Sequence, residues 1–492
     1  MIKIVYADIA EGAAENASYS DTGRQAYASV AALSTGAAPR LIATGEVGRW
    51  KLDGSVDILD AVDTDYGYIS LGQSDENGVF PDNVGVDVLL SNNYASSGLT
   101  LIFDTLEDVF YTVTVKWYDG DTVVSEGTFT TDDAEYSIEQ AVKLYNKIEI
   151  RFISSSKPYR FARLAQCIFG AIRRFSPSDF TSASLTQEVN PISEELAIDT
   201  SRFTLRPRKN IQFIFQSRQA FKIYRDDDLI AAHYLKDANI ASQNNYVVSC
   251  QSAVGILDEQ PFEAVMLENK PALEAAQEII GDSFTIDMQE DLQAMTVSGY
   301  IADGTRRDAL HQLLFALGAV CSTVGRESIR IFTIPAEAKQ IPRENIYTGA
   351  SVQQDAVVTS VKVEYHSYSA EETEGASKIE LDGVTYYDTV GYLEKINTDV
   401  IAGTHENPVE ITGATLLTKE RAEALLDALY AYHVHNTTVT QKIIITDEAP
   451  GELVLTEDIL EMPFEGIITS RETILTNLFA STLTIRGAYV TD

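Results

Sequence analysis

Residues 299–319 read GYIADGTRRDALHQLLFALGA, and this stretch decides the fold of the chain around it. Thr305 can cap a helix, because its hydroxyl accepts a hydrogen bond from a free backbone N–H group of the first turn. The apolar residues after it recur with the 3.6-residue period of one helix face. These residues are Ala309, Leu310, Leu313, Leu314 and Leu317. Since Gly318 lies where glycine commonly ends a helix, the stretch predicts an amphipathic helix.

The segments on either side of this helix predict a small α+β module. Met295–Tyr300 has the composition of a strand that leads into the helix, and Ile329–Ile334 that of a strand that follows it. An earlier helix is predicted with Asn269 as its cap, Pro271 in its first turn and Gly281 at its end.

The first 170 residues have an all-β pattern. Apolar and polar residues alternate over Tyr111–Trp117 and again over Ile148–Phe152, which is the period-2 pattern of half-buried strands. Residues 10–45 are rich in small residues and have weak periodicity, which predicts a partly irregular arm lying on a neighbour. Many short strands separated by turns predict a β-sandwich of the jelly-roll kind. Further strand candidates are Val84–Leu90, Leu99–Phe103 and Val123–Thr130.

Two more β regions flank the α+β module. In the region before it, Ala220–Tyr224 and Leu229–Tyr234 flank a run of aspartates and predict a hairpin. In the region after it, a long helix is predicted from about Thr418 to Tyr432. The predicted domains are therefore a sandwich, a first β domain, the α+β module and a second β domain. Their boundaries are 1–170, 171–260, 261–345 and 346–492. Other predicted strands of the first β domain are Phe203–Leu205, Ile211–Phe215 and Tyr246–Ser249.

The composition excludes several classes of protein. The 492 residues are enough for two to four domains of about 150 residues. A net charge of 37 − 73 = −36 argues against a protein that wraps nucleic acid or coats an anionic membrane. No apolar run reaches the roughly 18 residues of a membrane helix, and Asp8 argues against a signal peptide. Cys167, Cys250 and Cys321 are scattered, which predicts neither disulfides nor a zinc site.

Positive charge is concentrated in one part of the chain. Residues 1–150 carry 8 basic and 25 acidic residues, a net charge of −17. Residues 151–230 carry 13 and 8, a net charge of +5, and the remainder carries 16 and 40, a net charge of −24. Two interpretations stay open: these basic residues pair with acidic residues of the same chain, or they dock an acidic neighbouring subunit. The basic segment opens with Arg151, Lys157, Arg160, Arg163, Arg173 and Arg174.

No known catalytic motif occurs in the sequence, so we expect a protein that is not an enzyme and has no cofactor. The 73 acidic residues offer no distinctive pair for glycoside hydrolysis. Asp226–Asp228 and the run of Asp57, Asp60, Asp63 and Asp65 are interpreted as solvated turns rather than metal ligands. His433 and His435 would lie on different faces of a helix, so no metal site is predicted there.

Exposed aromatic residues on the sandwich are a separate candidate, because they can stack on sugar rings. Trp50, Tyr66 and Tyr68 are the candidates for such a surface. Trp117 is better explained as a core residue, since it is in phase with Val113 and Val115.

The 299–319 stretch resembles the phage tail baseplate hub family, which also forms the front half of tail-associated proteins in long-tailed phages. Three other segments resemble it in the same order: the opening strands over Leu185–Phe203, an early hairpin over residues 222–229, and final strands over 450–487. The resemblance covers roughly residues 175–492. The residues that match the family's strand and helix motif are Gly299, Tyr300, Thr305, Arg307, Asp308, Ala309, Leu310, Phe315 and Gly318.

The resemblance implies a mainly β fold with two hub-type β-barrel domains and a small α+β module. It further implies a structural protein of the virion tail, made in the host cytoplasm. In this family three copies form a ring of pseudo-sixfold symmetry that joins the tail tube to a central spike or fibre. The implied partners are tail tube or distal tail proteins, the spike or fibre and a tape-measure protein, with DNA passing transiently through an acidic bore that repels phosphates.

Two departures from the family leave a competing hypothesis open. The first 170 residues are additional to the minimal hub, and we expect the spike or any lytic enzyme to be a separate chain. The sandwich therefore contacts either other baseplate subunits or a cell-surface glycan. The alternative to a hub is a protein that binds or cleaves glycans through this sandwich. A third interpretation, a cytosolic scaffold, explains the composition but not the ordered motifs.

The predicted helix gives a direct test. Replacing Leu313 or Leu314 with Asp is expected to unfold the α+β module, because an unpaired charge would be buried in its core. The loss in unfolding free energy should exceed about 3 kcal/mol. Thermal melting measures the change, and an unaltered melting temperature would contradict the predicted helix.

Overall fold

The structure is a computed structural model whose described residues form two compact units. The smaller unit is built from Val5–Arg174, and the larger is built mainly from the residues after Phe175. None of the helices in the described residues is long and apolar enough to cross a membrane. The structure describes residues 2–36, 42–51, 53–56, 66–103, 109–206, 219–242, 245–401, 403–444, 447–457, 462–476 and 480–490.

The first twelve strands belong mainly to the smaller unit. They are β1 (Ile2–Ile9), β2 (Ala17–Asp21), β3 (Tyr68–Gln73), β4 (Gly85–Ser96), β5 (Leu99–Ile102), β6 (Tyr111–Asp119), β7 (Thr122–Thr130), β8 (Glu135–Ile138), β9 (Val142–Ser155), β10 (Phe161–Leu164), β11 (Gln166–Ile168) and β12 (Gly170–Phe175). The first residues of β1, up to Ile4, are part of the larger unit.

The smaller unit is a β-sandwich. A five-stranded sheet in the order β2-β4-β9-β6-β7 shares one core with the shorter sheets β11-β5-β8 and β10-β3. Val115 and Trp117 of β6 meet Leu101 and Leu164 of the shorter sheets there, and Trp117 is fully buried. The alternation along β6 therefore produces the predicted inward face.

The segment over residues 10–45 is partly irregular as predicted, but where the structure describes it the segment packs on its own chain and is not a free arm. β2 pairs with β4, and a short 3-10 helix, Val30–Leu33, follows. Ala13 and Leu33 are fully buried in the core of the sandwich. The weak periodicity of this segment did not indicate its packing on the same chain, because only a few of its small side chains are buried.

The larger unit contains the remaining strands and the helices. Its strands are β13 (Phe180–Glu188), β14 (Thr200–Leu205), β15 (Ala220–Arg225), β16 (Asp228–Ser242), β17 (Asn245–Gln251), β18 (Pro261–Phe262), β19 (Val265–Pro271), β20 (Ile286–Met288), β21 (Thr296–Ile301), β22 (Gly304–Thr305), β23 (Val320–Ser322), β24 (Ile329–Phe332), β25 (Lys339–Gln340), β26 (Ser351–Gln354), β27 (Ser360–Ser369), β28 (Ser377–Leu381), β29 (Val384–Ile396), β30 (Pro408–Ile411), β31 (Thr437–Ile444), β32 (Leu453–Glu457), β33 (Pro463–Ile474) and β34 (Ala480–Tyr489). Its helices are α1 (Ala253–Asp258), α2 (Ala272–Ile280), α3 (Glu290–Gln293), α4 (Arg306–Leu317) and α5 (Lys419–Val434).

One large sheet joins the early and late strands of this unit. Its strands follow the order β15-β16-β17-β14-β13-β33-β34-β31-β26, and β32 pairs with β33 and β25. The link is the antiparallel pair β13–β33, in which Leu185 lies opposite Thr473. Strands of the two predicted β domains are therefore continuous in one sheet. The mainly β fold class with small helical parts is confirmed.

A separate four-stranded sheet, β28-β29-β27-β30, lies beside α5 and interrupts the late strands. Val361 and Val363 of β27 form its core with Ala422 and Leu429 of α5. The predicted long helix is confirmed with nearly the predicted bounds.

The α+β module matches its prediction except at one cap. α4 and the strand before it are confirmed, and Gly281 ends α2 with a φ of +63°. Asn269 is not the cap of α2; it lies within β19 at a φ of +49°, and Pro271 is the N-cap. The predicted hairpin is also confirmed, since β15 and β16 pair from Arg225 and Asp228 onward. The predicted strand Ile211–Phe215 lies outside the described residues.

A buried carboxylate ties the large sheet to the module. Asp199 accepts hydrogen bonds from the backbone N–H of Glu188 at 2.8 Å and from the Thr323 hydroxyl at 3.0 Å. Burial raises the pKa of Asp199 to about 6, although these hydrogen bonds act in the opposite direction. Desolvation therefore outweighs the two donors at this site.

This raised pKa predicts a specific pH dependence. The folded state holds the proton of Asp199 more strongly than the unfolded state does. Protonated Asp199 therefore contributes to the unfolding free energy, fully below pH 3.8, and this contribution is lost as the pH rises through about 6. Replacing Asp199 with Asn removes this titration. The unfolding free energy of the variant relative to the natural chain should therefore rise by about 3 kcal/mol between pH 3 and pH 7. Urea unfolding at several pH values measures the difference, and a constant difference would contradict the assignment.

Candidate functional site

The N-terminus of α4 is fixed by a reciprocal pair of hydrogen bonds. The Thr305 hydroxyl accepts from the backbone N–H of Asp308 at 3.1 Å, and the Asp308 carboxylate accepts from the backbone N–H of Thr305 at 3.0 Å. The hydrogen bond from the Thr305 backbone lowers the pKa of Asp308. This capping box explains why threonine and aspartate stand three residues apart in the motif.

The two arginines after Thr305 anchor the helix to its surroundings. Arg306 donates to the carbonyl oxygens of Glu278 and Ile279 at the end of α2, where the helix dipole favours a cation. Arg307 donates from Nε to the carbonyl oxygen of Leu196 at 3.0 Å. The charged positions of the motif therefore orient α4 within the chain.

α4 contributes side chains to two separate cores. Leu310 and Leu313 pack with Ala276 of α2 in the core of the module. Phe315 belongs to the other core, with Val363 of β27 and Leu429 of α5. The side chains of Leu310, Leu313, Phe315 and Val363 are each at most 3% exposed. The helix therefore joins the module to the four-stranded sheet.

Both motif glycines mark close approaches between these parts. Gly299 has a φ of +136°, and a Cβ atom there would lie 2.7 Å from the carbonyl oxygen of Thr415. Gly318 has a φ of +63°, and its Cβ would lie 2.5 Å from Leu425 Cδ2 of α5. Any other residue would be strained and would push the neighbouring segment away.

The loop after β30 is held on α4 by polar contacts. The Gln312 side chain donates to the carbonyl oxygen of Gly413 at 3.0 Å and accepts from the backbone N–H of Thr415 at 3.0 Å. Arg421 of α5 donates to the carbonyl oxygen of Ala316 at 2.9 Å. Because a glutamine can donate and accept at once, Gln312 satisfies two backbone groups of one loop.

A cavity of about 580 Å³ lies beside Gly299, and a buried cluster of charged side chains borders it. His366 Nδ1 is 2.9 Å from Asp388 Oδ2, and His366 Nε2 is 3.1 Å from Glu364 Oε1. Each ring nitrogen of His366 therefore lies within hydrogen-bond distance of one carboxylate oxygen. The sequence alone does not reveal this cluster, because Asp388 is 22 residues from His366 and only the pairing of β27 with β29 brings it near.

The other histidines do not form a metal site among the described residues. His435 is the C-cap residue of α5, while His433 Nε2 lies 3.5 Å from Glu194 Oε1. Within the described ranges no group of three His, Cys, Asp or Glu side chains is arranged to hold a metal ion. The predicted turn at Asp226 is confirmed by its φ of +56°. Asp57, Asp60, Asp63 and Asp65 lie outside the described residues.

Half of the six basic residues that open the basic segment are buried in the sandwich. Arg160, Arg163 and Arg173 are buried, and Lys157 is half-buried. Arg151 pairs with Asp87 at 2.6 Å, and Arg174 pairs with Glu135. A neighbouring subunit cannot reach the three buried arginines in this conformation. Docking of an acidic subunit by the accessible residues Arg151, Lys157 and Arg174 stays a prediction.

Arg163 and Glu46 form the most deeply buried ion pair of this segment, with both side chains at most 1% exposed. The Glu46 carboxylate also accepts from the Thr44 hydroxyl at 2.6 Å and from the backbone N–H of Phe161 at 2.9 Å. Arg160 donates to the carbonyl oxygen of Val47 at 2.7 Å. The pair thus holds the loop around Glu46 on the sandwich.

Two of the three aromatic residues proposed to stack on sugar rings are buried. Tyr66 and Tyr68 are buried, so the prediction that they present rings to solvent is wrong. Trp117 is buried as predicted. Trp50 alone among the named candidates is exposed, with 63% of its surface accessible.

Among the described residues, the carboxyl groups with a raised pKa are those of Asp8 and Asp199, and burial is the main cause of the shift in each. Neither shift indicates a catalytic acid for glycoside cleavage. Asp8 lies in the smaller unit and Asp199 in the larger. The two raised carboxyl groups are therefore explained by their separate buried surroundings.

Three solved structures of phage tail proteins align with part of the chain, each with a TM-score below 0.5. The 43 kDa tail protein of prophage MuSo2 from Shewanella oneidensis aligns with a TM-score of 0.43 and 11% identity, covering 62% of this chain and 93% of that chain. A tail protein from Neisseria meningitidis gives 0.45 and 11%, covering 62% and 92%. Prophage tail protein gp18 from Listeria monocytogenes gives 0.43 and 12%, covering 65% and 92%.

These similarities concern the fold. No protein-family model and no curated protein sequence matches the chain.

The buried ion pair predicts a large difference between two arginines of the same segment. Replacing Arg163 with Met leaves the Glu46 carboxylate buried and unpaired, which should lower the unfolding free energy by about 3–5 kcal/mol. Replacing Arg174 with Met removes an exposed pair and should cost less than about 1 kcal/mol. Both changes remove one positive charge, so denaturant unfolding of the two variants isolates the effect of burial. Equal losses would contradict the assignment.

Proposed function

We propose that this chain is a structural hub protein of a phage tail or phage-tail-like particle, and that three copies form a ring. The ring would join the tail tube to a central spike or fibre and let DNA or a tape-measure protein pass. In this proposal the chain acts as an adaptor and carries out no catalysis.

The observation that carries the proposal is the conformation of the motif segments. Residues 299–319 form a strand, a capping box and a helix that ends at a left-handed glycine. Residues 222–229 form the hairpin, and the final segments lie on adjacent strands with Gly466 opposite Gly487. The segments that resemble the hub family in order thus also take the strand, helix and hairpin forms that the resemblance implies.

The charge of the chain suits passage of nucleic acid. A net charge of −36 makes the surface repel phosphate groups, so DNA would pass through a ring of such chains without binding. A protein that held DNA would need the opposite charge.

The alternative of glycan binding rests on one exposed residue. Trp50 can stack on a sugar ring, but its proposed companions Tyr66 and Tyr68 are buried. Burial explains the raised pKa of both Asp8 and Asp199, so neither shift by itself supports glycan cleavage.

Light scattering and negative-stain imaging of the purified full-length chain test the proposal. We expect a mass of three times the 54.1 kDa of one chain and particles with threefold symmetry around a central hole. A monomer that binds a sugar array, and loses that binding when Trp50 is replaced with Ala, would overturn the hub in favour of the glycan alternative. Trp117 is unsuitable for this comparison, because its replacement would disrupt the core.

A further inference from the structure

A cavity of about 340 Å³ in the larger unit combines an apolar wall with two arginines. Its volume is within the range of sites that bind small organic molecules, which are mostly apolar with a few polar groups that fix orientation. The cavity does not involve α4 or the hub-like motif of residues 299–319. The lining residues used below are Leu185, Leu229, Ile230, Arg225, Arg471, Asp228 and Asp447.

Arg471 is a buried cation without a carboxylate in contact. Its side chain is 8% exposed, and none of the ion pairs among the described residues includes it. Its Nε and Nη2 atoms donate to the Gln187 side-chain oxygen at 3.1 and 2.6 Å, and Nη1 donates to the carbonyl oxygen of Glu448 at 2.6 Å. One N–H on each terminal nitrogen is left without an acceptor in the described part of the chain.

The shift in the pKa of Arg471 agrees with its lack of a carboxylate in contact. Burial lowers the pKa of Arg471, and the carboxylates of Asp199, Glu448 and Glu452 oppose the shift from beyond ion-pair distance. A buried charge with neutral partners is costly, so an additional anion at this point would be stabilising.

Arg225 presents a second guanidinium to the same cavity. Its Nη2 atom donates to Asp447 Oδ1 at 2.8 Å, but the Asp447 side chain is 82% exposed. Such exposed pairs contribute little, so another anion can replace Asp447 at low cost.

We propose that this cavity binds an aliphatic carboxylate. The carboxylate accepts hydrogen bonds from Arg225 and Arg471, whose planar N–H groups match its two oxygens. The aliphatic part lies against Leu185, Leu229 and Ile230. This site is independent of the proposed hub function, because it requires a single chain and no ring.

The acidic residues at the cavity give the proposal a test with a definite sign. Asp228 and Asp447 also line the cavity and repel an incoming anion. Replacing Asp447 with Asn removes one repulsion and frees Arg225, so a carboxylate should bind more tightly. Asp427 is a matched control, because it pairs with Lys395 at 2.6 Å, is 85% exposed and does not line the cavity.

Isothermal titration of the full-length chain with hexanoate measures the binding. We expect hexanoate to bind at least about tenfold more tightly than hexan-1-ol, since charge-assisted hydrogen bonds would be lost with the alcohol. Asp447→Asn should tighten hexanoate binding severalfold and Asp427→Asn should leave it unchanged. Equal binding of the acid and the alcohol, or no difference between the two variants, would overturn the proposal.

Arginine variants supply a second comparison. Arg225→Gln should weaken hexanoate binding about tenfold, whereas Arg343→Gln, which breaks the exposed pair with Glu457 away from the cavity, should not change it. Arg471 is left intact, because its bonds to Gln187 and Glu448 hold the sheet together and its loss would impair folding. Equal effects of the two glutamine variants would count against the cavity as the binding site.

A final comparison identifies the source of the carboxylate. Acetyl-Ala-Leu with a free carboxyl terminus offers the same group on a peptide, and its amide is the uncharged control. Tighter binding of the peptide acid than of hexanoate would support the terminus of another chain as the natural ligand, and the reverse order would support a free acid. Binding of neither acid would overturn the proposal, whatever the oligomeric state of the chain.

Discussion

The larger unit depends on the burial of one helix from two sides. α4 places Leu310 and Leu313 in one core and Phe315 in another, so neither core can form completely without it. Because α4 contacts two cores, the chain is closely packed near both of its ends. This close packing restricts which residues can occupy the other motif positions. Gly299 and Gly318 lie where the neighbouring segments come closest, and Thr305 and Asp308 satisfy the backbone that packing leaves unpaired.

The same helix explains why polar residues recur at its surface. Gln312 of α4 bonds to backbone groups of the loop after β30, and Arg421 of α5 bonds to a carbonyl oxygen in the last turn of α4. Backbone groups in a loop and at a helix end lack regular partners, so these side chains satisfy them. The module and the four-stranded sheet are thus connected by side chains in place of strand pairing.

The sequence was most informative where the structure is local. α4, α5, the β15–β16 hairpin and the alternation of β6 were predicted, because each depends on neighbouring residues and on burial of one face. Asn269 was assigned wrongly as a cap, since its backbone conformation is set by the irregular pairing of β19 with β21. Partners distant in sequence were out of reach: Glu46 with Arg163 and His366 with Asp388 are joined only by the tertiary fold. Trp50 lies outside any strand and is exposed, whereas Tyr68 of β3 is buried in the core of the sandwich, a difference that also depends on the tertiary fold.

The pairing of β13 with β33 has a consequence for the synthesis of the chain. Gln187 and Arg471, which are bonded across these strands, are 284 residues apart. At ribosomal rates of about 5–20 residues per second, β13 waits on the order of tens of seconds before its partner strand emerges. During that interval an open strand edge is exposed, which is a state prone to association with other nascent chains. Production of this protein should therefore depend on chaperones that bind exposed strands during translation.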